Sequence, residues 1–101
     1  MKAHPPALSA DRLIVSPHAM SRALDMRDLD ELEIREALFR PDVVEFSRTH
    51  ESWNFIAGRV CCGVHVDSSG LATVLTVLWR DRADWRRDFE LGEYGGRSAR
   101  E

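Results

Sequence analysis

The feature that most constrains this chain is a change of hydrophobic period at Pro41. Before it, apolar residues recur at helical spacing; after it, they alternate. A helical stripe cannot serve as a strand, nor an alternating one as a helix. The change therefore divides the chain into a helical part followed by a sheet.

Two helix starts are written into the first part. Ser16 is placed to cap, Pro17 suits the first helical position, and Val15 can staple onto Met20. This helix is expected to run to about Asp25, with Ala19, Met20, Ala23 and Leu24 as its inward stripe. Asp30 and Glu33 have the spacing of a capping box, with Leu29 and Ile34 as the staple. The second helix should bury Ile34, Ala37 and Leu38. Pro41 stops it, because the residue before proline disfavours helical geometry.

The strands follow. Val44 and Phe46 alternate with Val43, Glu45 and Ser47, Arg48 to Glu51 reads as a loop, and Trp53, Phe55 and Ala57 alternate again before Gly58. Val60, Cys62, Val64 and Val66 share one face of the next strand, and Asp67 to Gly70 is a turn. Leu71 to Trp79 is apolar on both faces, as a central strand is. Leu13 to Val15 is either a leading strand or an entry segment. Trp85 and Phe89, four residues apart, suit a short C-terminal helix. The expected fold is α+β: two N-terminal helices packed on a four-stranded antiparallel sheet. Residues 1–12 are expected as a flexible arm, 13–91 as one domain and 92–101 as a flexible tail.

Composition narrows the function classes. The net charge of −3 opposes general nucleic-acid binding, which phosphate neutralisation drives, but leaves room for a local basic patch. Arg80 to Glu101 holds six Arg and six acidic residues, so its arginines read as a solvated neutral face. No apolar run approaches the roughly 20 residues of a membrane span, and the N-terminus lacks a secretory pattern; a cytoplasmic location is the expectation. Cys61 and Cys62 are adjacent, which suits neither a disulfide with each other nor zinc spacing; one should enter the core and the other face away. No phosphate-binding glycine loop, nucleophile elbow or metal motif is present, so neither a cofactor nor a metal is expected.

Two constellations can carry chemistry. His18, at the second position of the first helix, precedes Arg22 by one turn, and Asp25 falls on the same side. A helix N-terminus favours a neutral, proton-accepting imidazole, and Arg22 can hold a phosphate. The other reading of that side is a solvated polar face with a local Arg22–Asp25 pair. Arg48, His50 and Trp53 gather around one hairpin loop and suit RNA, whose bases stack on rings and whose phosphates meet cations. The other reading there is a polar turn followed by a core Trp. His65 is expected on the sheet face away from the core.

Ser16-Pro17-His18-Ala19 followed by Arg22 resembles the "S-x-H-A-x-x-R" opening of a small bacterial domain family that is similar to the BrnT toxins and, more distantly, to the RelE/ParE toxin superfamily. Ile34 to Pro41 resembles that family's short acidic helix ending "L-x-x-P". Trp53 to Val60 and Val74 to Val77 resemble its hairpin and terminal strands. The resemblance spans roughly residues 13–80. It implies a toxin-like endoribonuclease or growth inhibitor whose cleft binds RNA and is covered by an antitoxin, with His18, Arg22, Arg48 and His50 sharing the acid, base and phosphate-binding work without a metal. The acidic balance departs from that pattern. It leaves a non-catalytic protein-interaction domain, phage- or host-encoded, as the alternative.

Overall fold

The computed structural model describes residues 5–81. A 3-10 turn at Ala10–Arg12 leads into β1 (Leu13–Val15), α1 (Pro17–Asp25), α2 (Glu31–Phe39), β2 (Val43–Ser47), β3 (Ser52–Ala57), β4 (Val60–Val66) and β5 (Ala72–Trp79). The strands form one sheet in the order β1-β5-β4-β3-β2. β2 to β5 are antiparallel neighbours, as the sequence suggests. The sheet is nevertheless five-stranded and mixed rather than four-stranded and antiparallel, because Leu13–Val15 pairs in parallel with Ala72–Val74. The two helices carry the chain from β1 at one edge of the sheet to β2 at the other, and the antiparallel run β2 to β5 returns it beside β1. The expected C-terminal helix lies outside the described residues.

Both helix starts take the form that their sequences dictate. The Ser16 hydroxyl accepts from the Ala19 amide at 3.0 Å, with Pro17 at the first helical position. At α2 the capping box is complete: Asp30 Oδ1 accepts from the Leu32 amide at 2.9 Å, and the Glu33 carboxylate accepts from the Asp30 amide at 3.0 Å. Each cap satisfies amides that the first helical turn leaves without a partner. The Ser16 hydroxyl also donates to the Leu75 carbonyl at 3.2 Å, and the Ser16 amide donates to the Val74 carbonyl at 3.0 Å. These bonds tie the start of α1 to the middle of β5.

The sheet register explains the core. Val60, Cys62, Val64 and Val66 of β4 pair with Trp79, Val77, Val74 and Ala72 of β5. The step from Val77 to Val74 skips one residue, so the ladder shifts at Gly63/Val64. That shift keeps both halves of β5 facing the helices; without it, Ala72 and Val74 would turn to the opposite face. Phe55, Val60, Cys62, Val64, Val74, Val77 and Trp79 are buried with Ala19 of α1 and Ala37 and Leu38 of α2. α1 packs on β5, and α2 packs on β3 and β4.

The rotation of α1 corrects the inward stripe expected from sequence. Ala19 is fully buried and Ala23 packs beside it, but Met20 is 57% exposed and Leu24 85% exposed. Small residues let α1 approach β5 closely, which turns the larger pair outward. Val15 and Met20, expected to staple the helix start, are 42% and 57% exposed.

Candidate docking groove and the predicted catalytic residues

The outward turn of Met20 and Leu24 builds the most distinctive surface feature of the described residues. α1, over β5, and α2, over β3 and β4, stand apart and leave a groove of about 580 Å³ between them. Val74 and Val77 form its floor, Met20 and Leu24 stand on the α1 side, and Ile34 and Leu38 stand on the α2 side. Glu31 and Arg35 supply its polar rim and form a pair at 3.9 Å. The surface is apolar with charge confined to one edge, which suits a partner's apolar side chains better than a polar substrate.

The five residues expected to share RNA chemistry fall in two places. His18 is exposed and Arg22 half-buried on α1, above β5. Arg48 and His50 are exposed in the turn between β2 and β3, and Trp53 is half-buried on β3. β3 and β2 lie two and three places from β5 in the sheet. At about 4.8 Å per strand, that is an offset of roughly 10–14 Å across the sheet. Groups acting on one phosphate must converge within hydrogen-bond reach. The two groups are carried by separate elements, α1 over β5 and the β2–β3 hairpin.

Within the hairpin group the contacts are local. His50 Nδ1 lies 3.2 Å from the Ser47 hydroxyl, and the His50 amide donates to that hydroxyl at 3.4 Å. Phe46, paired across from Trp53, meets its ring edge-on with centroids 5.1 Å apart. The two rings beside Arg48 and His50 form an aromatic and cationic corner at the edge of the sheet. Arg22 and Asp25 are both half-buried, so the side of α1 read as solvated is partly enclosed.

The cysteines divide as their adjacency predicts. Cys62 is buried among the valines of the helix-covered face, and burial pushes its thiol up to about 12. Cys61 is half-buried on the opposite face, where burial and the nearby Glu45 carboxylate raise its thiol. Neither is poised as a nucleophile, which requires a lowered value. His65 is exposed on the face away from the helices, as expected. Among the described residues, no group of three or more His, Cys, Asp or Glu side chains is placed to hold a metal ion. Nor is any described helix long and apolar enough to cross a membrane.

Sequence reasoning missed the groove. Its signal was present in the two adjacent pairs Ala19-Met20 and Ala23-Leu24, in which either the small or the large member can face inward. No protein-family model, curated protein or solved structure matches the chain.

Proposed function

We propose that this domain works by non-catalytic docking of a protein partner in the groove between α1 and α2. The observation that carries this reading is Leu24. A leucine 85% exposed beside an apolar slot wastes burial free energy unless a partner covers it. Full burial of such a side chain stabilises by about 1.5–3 kcal/mol. The negative balance of the chain supports the same reading.

The second reading is the toxin-like endoribonuclease implied by the resemblance. The Arg48–His50 turn beside the Phe46–Trp53 ring pair favours it, since rings and a cation suit single-stranded RNA. Expression of wild type, Leu24→Asp, His18→Ala and His50→Ala, with growth and RNA integrity followed together, separates the two. Docking predicts intact RNA and any growth effect lost only with Leu24→Asp. RNA cleavage abolished by His18→Ala or His50→Ala would overturn docking and establish the nuclease.

A further inference from the structure

We propose that β1 is a pairing edge at which two copies of this chain join their sheets strand to strand about a two-fold axis, whatever occupies the groove. The phase of the β1–β5 ladder sets which main-chain groups are open there. Ile14 pairs with Thr73 and Val15 with Val74, and the Ser16 amide donates to the Val74 carbonyl at 3.0 Å. In a parallel ladder, alternate residues of a strand turn both main-chain groups toward one neighbour. Ile14 and Ser16 therefore face β5, and Leu13 and Val15 aim their N–H and C=O groups off the edge. Among the described residues no strand lies beyond β1.

Those open groups match a second β1 in one antiparallel register. With the axis at Ile14, Leu13 of each copy stands opposite Val15 of the other, and both Leu13–Val15 pairs exchange N–H and C=O. An axis at Val15 would instead set Leu13 opposite Pro17, which has no N–H. The strand is uncharged and apolar on both faces. Ile14, 49% exposed, meets Ile14 of the other copy at the closer, non-hydrogen-bonded spacing. Val15, 42% exposed, gains Leu13 of the other copy beside it, at the lip of the groove that Leu13 and Val15 line. The opposite edge, β2, opposes such pairing, because its central residue Glu45 would stand against itself. Edges left to solvent are commonly guarded by charge, proline or a bulge; Glu45 guards β2, whereas Leu13 to Val15 carry none of these.

Sedimentation velocity on the full chain up to about 1 mM tests the assignment, the upper range being needed because a three-residue edge is a small contact. The expected result is a monomer–dimer equilibrium whose dissociation constant rises about tenfold or more in Ile14→Lys, which sets like charges on the axis and removes an apolar contact. Val15→Pro should weaken the dimer too, since it deletes an outward N–H and spares the bonds between β1 and β5. Glu45→Lys, on the other edge, should leave it unchanged. Amide hydrogen exchange at Leu13 and Val15 should slow as concentration rises, a change that side-chain packing alone does not produce. Unchanged circular dichroism of Ile14→Lys would show that its fold is intact. A chain monomeric throughout overturns the assignment. So does a dimer indifferent to both β1 variants, or one whose Leu13 and Val15 amides exchange at the monomer's rate. A dimer lost in Leu24→Asp but not in Ile14→Lys would overturn it by placing the interface in the groove.

Discussion

Arg59 donates from Nε to Glu33 Oε1 at 2.7 Å, clamping the β3–β4 turn to the first turn of α2. The clamp is bidentate, since Arg59 Nη2 reaches Glu33 Oε2 at 2.9 Å, and the same nitrogen donates to the Asp28 carbonyl at 2.7 Å. The guanidinium also lies 4.6 Å from the centre of the Trp79 ring. Glu33 is at once a capping residue of α2 and the anchor of this turn, so one carboxylate sets where α2 stands over the sheet. Gly58 makes the turn possible by taking φ +57°, a conformation that costs other residues about 1–2 kcal/mol.

Removal of the clamp should loosen α2 and with it one wall of the groove. Arg59→Ala is expected to cost about 2–3 kcal/mol, because it deletes charge-assisted bonds at a half-buried site. Arg59→Lys should cost about half as much: it keeps the charge but loses the fork and the ring contact. Urea unfolding midpoints measure both. Equal midpoints for all three proteins would contradict the clamp.

Ser16 holds α1 on β5 through its cap and its bond to Leu75. Ser16→Ala should cost about 1–2 kcal/mol, the range for a lost N-cap. Ser16→Asp keeps a capping acceptor but loses the hydroxyl donor to the Leu75 carbonyl, so it should recover only part of the loss. Thermal melts of the two variants separate the cap from the strand bond.

Gly63 sits where the β4–β5 register shifts, and a Cβ built there would lie 3.0 Å from Thr76 Cγ2. Thr76 is β-branched and stiff in a strand, so it yields poorly. Gly63→Ala should therefore destabilise by about 1 kcal/mol despite the entropic advantage of alanine. Addition of Thr76→Ser removes the opposing methyl and should restore stability. A stabilised single variant would show that the shift has room to relax.

The two thiols should differ sharply in reactivity and in alkali. A thiol-specific reagent should label Cys61 first and reach Cys62 only through unfolding, since Cys62 is buried in the core and Cys61 half-buried. For Cys62 the folded value, about 12, lies above the ordinary 9.0. The folded state therefore holds its proton where the unfolded chain has released it. Its contribution is fully present below pH 9.0 and declines from there toward about pH 12. The decline should not exceed about 1.4 kcal/mol per pH unit for this group. Urea midpoints between pH 8 and 11 should flatten in Cys62→Ala relative to wild type, apart from a uniform cavity cost.

Much of the local structure was legible. The caps at Ser16 and Asp30, the stop at Pro41 and the alternation through Trp53, Phe55 and Ala57 are short-range patterns with short-range causes, and the structure repeats them. The inner face of β4 followed from period two alone, and so did the division of Cys61 and Cys62. The candidate site was legible only as residue types. His18 and Arg22 are one helical turn apart in the chain, and Arg48 and His50 share a turn, but their relation to one another depends on strand order.

The sequence by itself determined where helices begin and end, which residues alternate, and that helices precede a sheet. Only the tertiary structure decided that Leu13–Val15 pairs in parallel with β5, that the ladder shifts at Gly63/Val64, and that α1 turns its alanines inward. The physical reason is the same in each case. Adjacent small and large apolar residues give a helix two nearly equivalent inward faces, and a three-residue apolar run satisfies many neighbours. The tie is broken by how closely β5 must be approached, a distance set by residues far away in the chain. That choice left Met20 and Leu24 beside an open groove.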